Sequence, residues 1–270
     1  MNENLNELIN SITHGNTDVL EQILHSNNDE EISYAVDFVR IYHNYEDREK
    51  FFLTIASALP KLRGLTRYYA MRTLIQLDPK MSSTLILTLA NADDEFALLF
   101  IGKLLYHGVA NDALVVSLLD KSKKKDKIIE GIVKYCPQPP DRVIYKIVEL
   151  ACSNEQNVRY RVAEFMHTFK IYDHYEIPEL LDDENEKIRI IAVDTIKRSA
   201  NEEGVMLLYQ RFSVENNIDV KKKIVEALLY FAQRGNVLAR KTLEKIANNP
   251  HEHHDIIDIA YQVFNIPEIV

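Results

Sequence analysis

The sequence predicts an all-α fold: a right-handed α-solenoid of about eight stacked helix pairs, preceded by an extra N-terminal capping helix. Three observations predict it. Apolar helical segments recur with a period of roughly thirty residues, which means an array of repeats rather than one closed globule. Glycine is scarce, 7 in 270 residues, whereas sheets need glycine-rich turn chemistry at each reversal. The segments are separated by short turns rich in Asn, Asp, Ser and Glu, residues that cap an incoming helix and place negative charge near its N-terminus.

Residues 1–14 read as one helix whose polar Asn/Glu face suits the exposed end of an array. About eight pairs then fill residues 17–265 of a single domain spanning 1–270. With the first core position of each second helix numbered zero, the zeros fall at Tyr34, Thr66, Phe96, Ile128, Val158, Ile188, Val220 and Ile256. Their separations are 32, 30, 32, 30, 30, 32 and 36. Positions zero, four and eight share a helix face. They read Tyr34/Phe38/Tyr42, Thr66/Ala70/Leu74, Phe96/Phe100/Leu104 and Ile128/Ile132/Cys136. The other four are Val158/Val162/Met166, Ile188/Ala192/Ile196, Val220/Ile224/Leu228 and Ile256/Ala260/Phe264. Position five is mostly apolar too, which widens the stripe to what a helix buried between its pair-mate and the next repeat requires. First helices precede these after a polar turn: SSTLILTLA before NADDE, IPELL before DDENEK, EGVMLLYQRF before SVENNID. Pro139 and Pro140 open one first helix, where a missing N–H costs little, and Pro178 sits early in another. Pro267 stops the last helix ahead of a tail at 266–270.

In three consecutive units a basic residue follows position zero: Arg159 in NVRYRVAEF, Arg189 in KIRIIAVDTI and Lys221 in DVKKKIVEAL. Arg67 gives a weaker fourth. Asp183 lies six before Arg189, and Glu215 six before Lys221. This pattern resembles the HEAT-repeat family over about residues 139–248. The resemblance implies that Arg159, Asp183, Arg189, Glu215 and Lys221 form a structural ladder between neighbouring repeats, and that the second helices line the concave side. Ser153 stands where an acid is expected before Arg159, and the units at Tyr34, Phe96, Ile128 and Ile256 lack the basic residue.

The net charge is −9, and its acidity sits at one end. Residues 1–60 hold three basic side chains (Arg40, Arg48, Lys50) against eleven acidic ones; the rest of the chain is close to neutral. Such an end repels nucleic-acid phosphates and attracts basic partners. Cys136 and Cys152 sit in apolar helical contexts without a CxxC neighbour and read as two core thiols in a reducing compartment. The opening MNENLNELIN carries no basic-then-apolar signal, and no apolar run approaches the roughly 20 residues that cross a bilayer. The expectation is a cytoplasmic monomer with no membrane segment.

Position six points away from the buried face. It offers Arg40, Arg72, Gly102 and Lys134 in the first half, then Glu164, Asp194, Glu226 and Gln262. Tyr69, Tyr106, Arg161, Arg198, Lys223 and Tyr230 lie beside them. Tyr and Arg are frequent interface anchors, so these residues predict a concave face that grips a protein partner of mixed charge. No Walker, GxSxG, HExxH or dinucleotide glycine motif occurs, and neither a catalytic residue, a metal nor a cofactor is expected. His251-Glu252-His253-His254 reads as a turn rather than a metal tract, Lys121–Lys127 as a solvated loop, and Tyr172-Asp173-His174-Tyr175 as a packed polar turn. The leading function is a non-enzymatic adaptor, scaffold or regulatory subunit. One alternative is an immunity protein whose acidic first sixty residues cover a basic nuclease-like toxin. Others are a HEAT-like DNA glycosylase, disfavoured by the acidic balance and the lack of Trp, and a phycobilin-lyase-type enzyme. Single-strand binding through Tyr68, Tyr69, Arg72 and Tyr106 lacks a continuous basic groove, so nucleic acid is not expected as a partner.

Overall fold

The computed structural model describes residues 2–26, 28–172, 176–199 and 202–267. Every element among them is helical, and the chain is an all-α, solenoid-like fold. Asp173, His174 and Tyr175 of the expected polar turn, and residues 268–270 of the expected tail, lie outside the described residues. Two compact units, residues 1–144 and 145–270, divide the chain.

The first unit opens with α1 (Asn2–Thr13), which buries Leu8 and Ile12. Four pairs follow: α2 (Asp18–Leu24) with α3 (Asp29–Tyr42), and α4 (Arg48–Ala58) with α5 (Gly64–Leu77). Then come α6 (Pro79–Asn91) with α7 (Glu95–Tyr106), and α8 (Asp112–Lys121) with α9 (Lys125–Tyr135). The unit boundary falls in α10 (Asp141–Val148), which runs into a 3-10 turn at Glu149–Cys152. The second unit continues with α11 (Gln156–Phe169), α12 (Ile177–Leu181), α13 (Glu186–Ser199) and α14 (Glu202–Val214). It closes with α15 (Ile218–Ala232), α16 (Val237–Ala247) and α17 (His254–Tyr261). Within each unit the second helices pack on one another in sequence, α3 on α5, α5 on α7, α7 on α9, then α11 on α13, α13 on α15 and α15 on α17.

The turns act as helix starts for the reason their composition suggests. Asn28, Asp78, Asp94, Asn111, Asn217 and Asn236 each accept a hydrogen bond from a backbone N–H in the first turn that follows. Such caps satisfy donors that no helical carbonyl can reach. They also fix the register, which corrects the expected faces of α3 and α7. Val220 lies three residues after its cap Asn217; the same count from Asn28 reaches Glu31, not Tyr34. The α3 core is therefore Ile32, Ala35, Val36 and Val39, while Tyr34 is 58% exposed. From Asp94 the count reaches Ala97, so Phe96 is only half-buried, and Gly102 faces the core rather than outward. At the far end, a 3-10 turn at Gln262–Asn265 follows α17 and rotates the chain. Val263 is buried and Phe264 is 52% exposed.

Gly102 is buried because α7 and α9 nearly touch there. A Cβ on it would strike the Gly131 carbonyl, and one on Gly131 would strike the Leu99 carbonyl. Only residues without a side chain permit that approach.

Charged rungs join neighbouring second helices. Arg67 meets Asp94 at 2.8 Å, Arg159 meets Asp183 at 2.6 Å, Arg189 meets Glu215 at 2.9 Å, and Lys221 meets Glu252 at 2.9 Å. Each cation reaches forward, to the turn of the next unit. The turn of its own unit supplies backbone carbonyls instead: Arg189 donates to the Asp183 carbonyl and Arg159 to the Ser153 carbonyl, at 2.7 and 2.9 Å. The carboxylates six residues before Arg189 and Lys221 thus serve the preceding cation. Ser153 suffices before Arg159 because only its carbonyl is used there.

Both cysteines are free thiols, but only Cys136 is in the core; Cys152 ends the 3-10 turn and is exposed. Among the described residues no helix is long and apolar enough to cross a membrane. The Lys121–Lys127 run is not one loop: Lys121 ends α8, Ser122 is buried on Asp93 at 2.6 Å, and α9 starts at Lys125.

Candidate binding face

In the first unit an aromatic column ties three second helices together. Phe100 of α7 stacks on Tyr68 of α5 and on Tyr135 of α9, with ring centroids 5.2 and 5.6 Å apart. Phe100 is fully buried, and the two tyrosines carry the column outward. Their hydroxyls meet at 2.9 Å, and the Lys134 ammonium donates to the Tyr68 oxygen at 3.2 Å. Burial opposes ionisation of Tyr68, but its hydrogen bonds with Tyr135 and with Lys134, together with the charges of Lys134 and Arg72, hold its phenol below the ordinary value. Burial and the Tyr68 partner push the Tyr135 phenol well above it.

One turn beyond Tyr68 on α5 stands Arg72, with Tyr69 beside it. One turn beyond Phe100 on α7 stands Lys103, with the 59%-exposed Tyr106 following. Residues three or four apart share a helix face, so these groups flank one strip of surface. On α3 the adjoining Arg40 is engaged with Asp37 at 2.6 Å, and that hydrogen bond, helped by the charges of Arg40 and Arg72, lowers the Asp37 carboxyl. Arg72 and Lys103 form no ion pair among the described residues. Burial, together with the charges of Arg72 and Arg40, depresses the Lys103 ammonium. Burial and Lys103 in turn depress the His107 imidazole. Beside this strip, Tyr34, Tyr69 and Leu65 line a groove of about 610 Å³ between α3 and α5, with Asp29 and Glu30 at its edge.

The second unit treats its face residues differently. Glu164 is bound by Arg161 at 2.7 Å, and Lys223 lies 3.3 Å from Glu226 and 4.0 Å from Asp194. Tyr230 has the Arg234 guanidinium 3.6 Å over its ring and the Lys197 ammonium at 5.5 Å. Arg198 is exposed, and after burial its charge is what lowers the His167 imidazole. The three acids therefore share their surface with cations rather than offering bare negative charge. Exposed pairs of this kind contribute little individually.

Sequence spacing identified Arg72, Tyr69, Tyr106 and Lys134 but passed over Lys103 and Tyr135. The cap at Asp94 was the signal for Lys103, since it moves position six of α7 from Gly102 to Lys103. Tyr135 had no such signal, because its role depends on Tyr68 across two helices. Among the described residues no group of three or more His, Cys, Asp or Glu is placed to hold a metal ion.

No protein-family model matches the chain, and no curated protein matches it. Among solved structures it is similar to a designed armadillo repeat protein in complex with the peptide (KR)4, at 15% identity and a TM-score of 0.32, covering 92% of this chain and 97% of that one. It is also similar to an engineered protein at 14% identity and a TM-score of 0.24, covering 91% and 94% of the two chains. A third is a computationally designed self-assembling cyclic homo-oligomer, at 14% identity and a TM-score of 0.16, covering 97% and 94%. At these TM-scores the all-α, solenoid-like architecture rests on the chain's own helix pairs.

Proposed function

We propose that this protein is a non-enzymatic interaction module of HEAT-like repeats, an adaptor, scaffold or regulatory subunit, that receives a protein partner on the second-helix face of its first unit. The observation that carries the reading is that Arg72 and Lys103 stand on adjacent helices with no ion pair of their own among the described residues, the nearby Asp37 being engaged by Arg40, and that Tyr69 and the exposed Tyr106 flank them. Tyrosine and arginine anchor interfaces because they combine large contact area with polar ends. The Arg67–Asp94 rung and the aromatic column beneath favour a preformed face, which lowers the ordering cost of association. The HEAT-like assignment is supported by the basic residue that follows the core start of four second helices and reaches the next unit. The two free thiols suit a reducing, cytoplasmic setting, and we take the working species as a monomer.

Capture of partners from the native cell tests this, comparing wild type with Tyr69→Ala/Arg72→Ala/Tyr106→Ala and with charge reversal at Glu164, Asp194 and Glu226. The first variant is expected to lose its specific partners and the second to keep them. An unchanged partner set with the first variant sinks the proposal.

A further inference from the structure

The chemistry of the strip says more about what it receives. Arg72 and Lys103 project from neighbouring helices, and packed helices lie about 8–10 Å apart. Both carry charge where Arg40 is also near, and Lys103 is half-buried. Crowded like charges in a partly desolvated place are unfavourable, and the nearby Asp37 carboxylate is already engaged by Arg40, so a further anion is favoured there. The chain has 41 acidic side chains against 32 basic ones, so carboxylates were available to pair these cations internally. They do pair Arg40 beside them, and Arg161 and Lys223 on the second-helix faces of the second unit. A further donor is at hand. The Tyr68 oxygen accepts from Lys134, which leaves its own O–H to donate, either to Tyr135 or to a ligand.

We propose that Arg72, Lys103 and the Tyr68–Lys134 pair form a carboxylate-reading site for an acidic, extended peptide segment of a protein partner. Alternate side chains of an extended peptide stand about 7 Å apart, and the reach of glutamate covers the remaining gap between adjacent helices. The surroundings favour a peptide over a nucleic acid. Asp37 lies near Arg72, and residues 1–60 are strongly acidic, which opposes a continuous phosphate backbone. Tyr69 and Tyr106 give the peptide backbone and its apolar neighbours a surface to lie on. This inference rests on the protein-binding reading above and adds the ligand's charge and its contacts.

The test is fluorescence anisotropy with a fluorescein-labelled hexaglutamate peptide, using hexalysine and a twelve-residue oligothymidylate as comparison probes. Wild type is expected to prefer hexaglutamate, with binding that weakens as salt rises. Arg72→Gln and Lys103→Gln are each expected to weaken it about tenfold, as loss of a charge-assisted hydrogen bond does. A scaffold role for these cations predicts that the same variants melt earlier. A ligand site predicts unliganded melting temperatures equal to or above wild type, because like-charge repulsion is relieved. Preference for hexalysine or the oligonucleotide, unaltered hexaglutamate binding by the variants, or earlier melting would overturn the site. Should Tyr69→Ala/Tyr106→Ala abolish capture of the native partner while Arg72→Gln and Lys103→Gln leave it intact, the protein-binding reading stands and the carboxylate site falls.

Discussion

Glu215 takes two guanidiniums at once, Arg189 at 2.9 Å and Arg211 at 2.8 Å, with almost no access to water. Burial resists its ionisation, but the Asn217 backbone N–H and the two arginines outweigh that and hold its carboxyl below the ordinary value. Glu252 behaves likewise: burial opposes, and Lys221 and the His253 backbone N–H prevail. A carboxyl depressed in the folded state supplies stability that is whole above its unfolded value of about 4.3 and is lost as pH falls through the folded value. Stability is thus expected to decline below about pH 4.3, and Glu215→Gln should flatten part of that decline in urea titrations run across pH. At neutral pH the same variant leaves the buried Arg189 without its carboxylate, while the half-buried Arg211 keeps Asp182, and a loss of about 3 kcal/mol is expected from urea unfolding. Both Arg189 and Glu215 are legible in the sequence. Their pairing is not, because closeness along the chain suggested Glu215 with Lys221, whereas the longer arginine reaches across to the next turn.

At the scale of the helices, Asp94 shows how one residue does two things. It accepts from the Ala97 N–H at 3.0 Å, capping α7, and it pairs with Arg67. Asp94→Asn keeps the cap and removes the charge; Asp94→Ala removes both. The alanine variant should be less stable than the asparagine variant by about 1 kcal/mol, the usual worth of a cap, read from urea midpoints. The α7–α9 contact makes a separate prediction. Gly131→Ala forces the two helices apart and should cost about 1–3 kcal/mol, seen as a fall of roughly 2–4 °C in melting temperature for each kcal/mol. Helix existence was readable from periodicity, since each second helix repeats an apolar stripe. The register of α3 was not, because Tyr34, Phe38 and Tyr42 imitate such a stripe while facing partly outward. The cap at Asn28 outranks that imitation: it sets where the helix begins, and the smaller Ala35, Val36 and Val39 fill the interior.

For the molecule as a whole, the helices meet chiefly their near neighbours in sequence, so stability is distributed along the array rather than pooled in one centre. Native-state hydrogen exchange of Glu215→Gln should therefore show faster exchange in α13 and α15 with the amides of α5 and α7 unchanged. Uniform acceleration would contradict that locality. The architecture was legible because a repeat states its rule many times. The binding strip was legible only in part, because it depends on which side chains find partners across helices, a matter of distance that spacing along the chain does not encode.

The forward direction of the charged rungs also makes each unit depend on the one that follows it. Each cation is answered by the unit that follows it, so Lys221 relies on Glu252 in the turn ahead of α17. Deleting the final pair would expose an apolar flank and also strand an ammonium with no counter-ion. Loss of the pair that carries Glu252 is therefore expected to destabilise α15 on two counts.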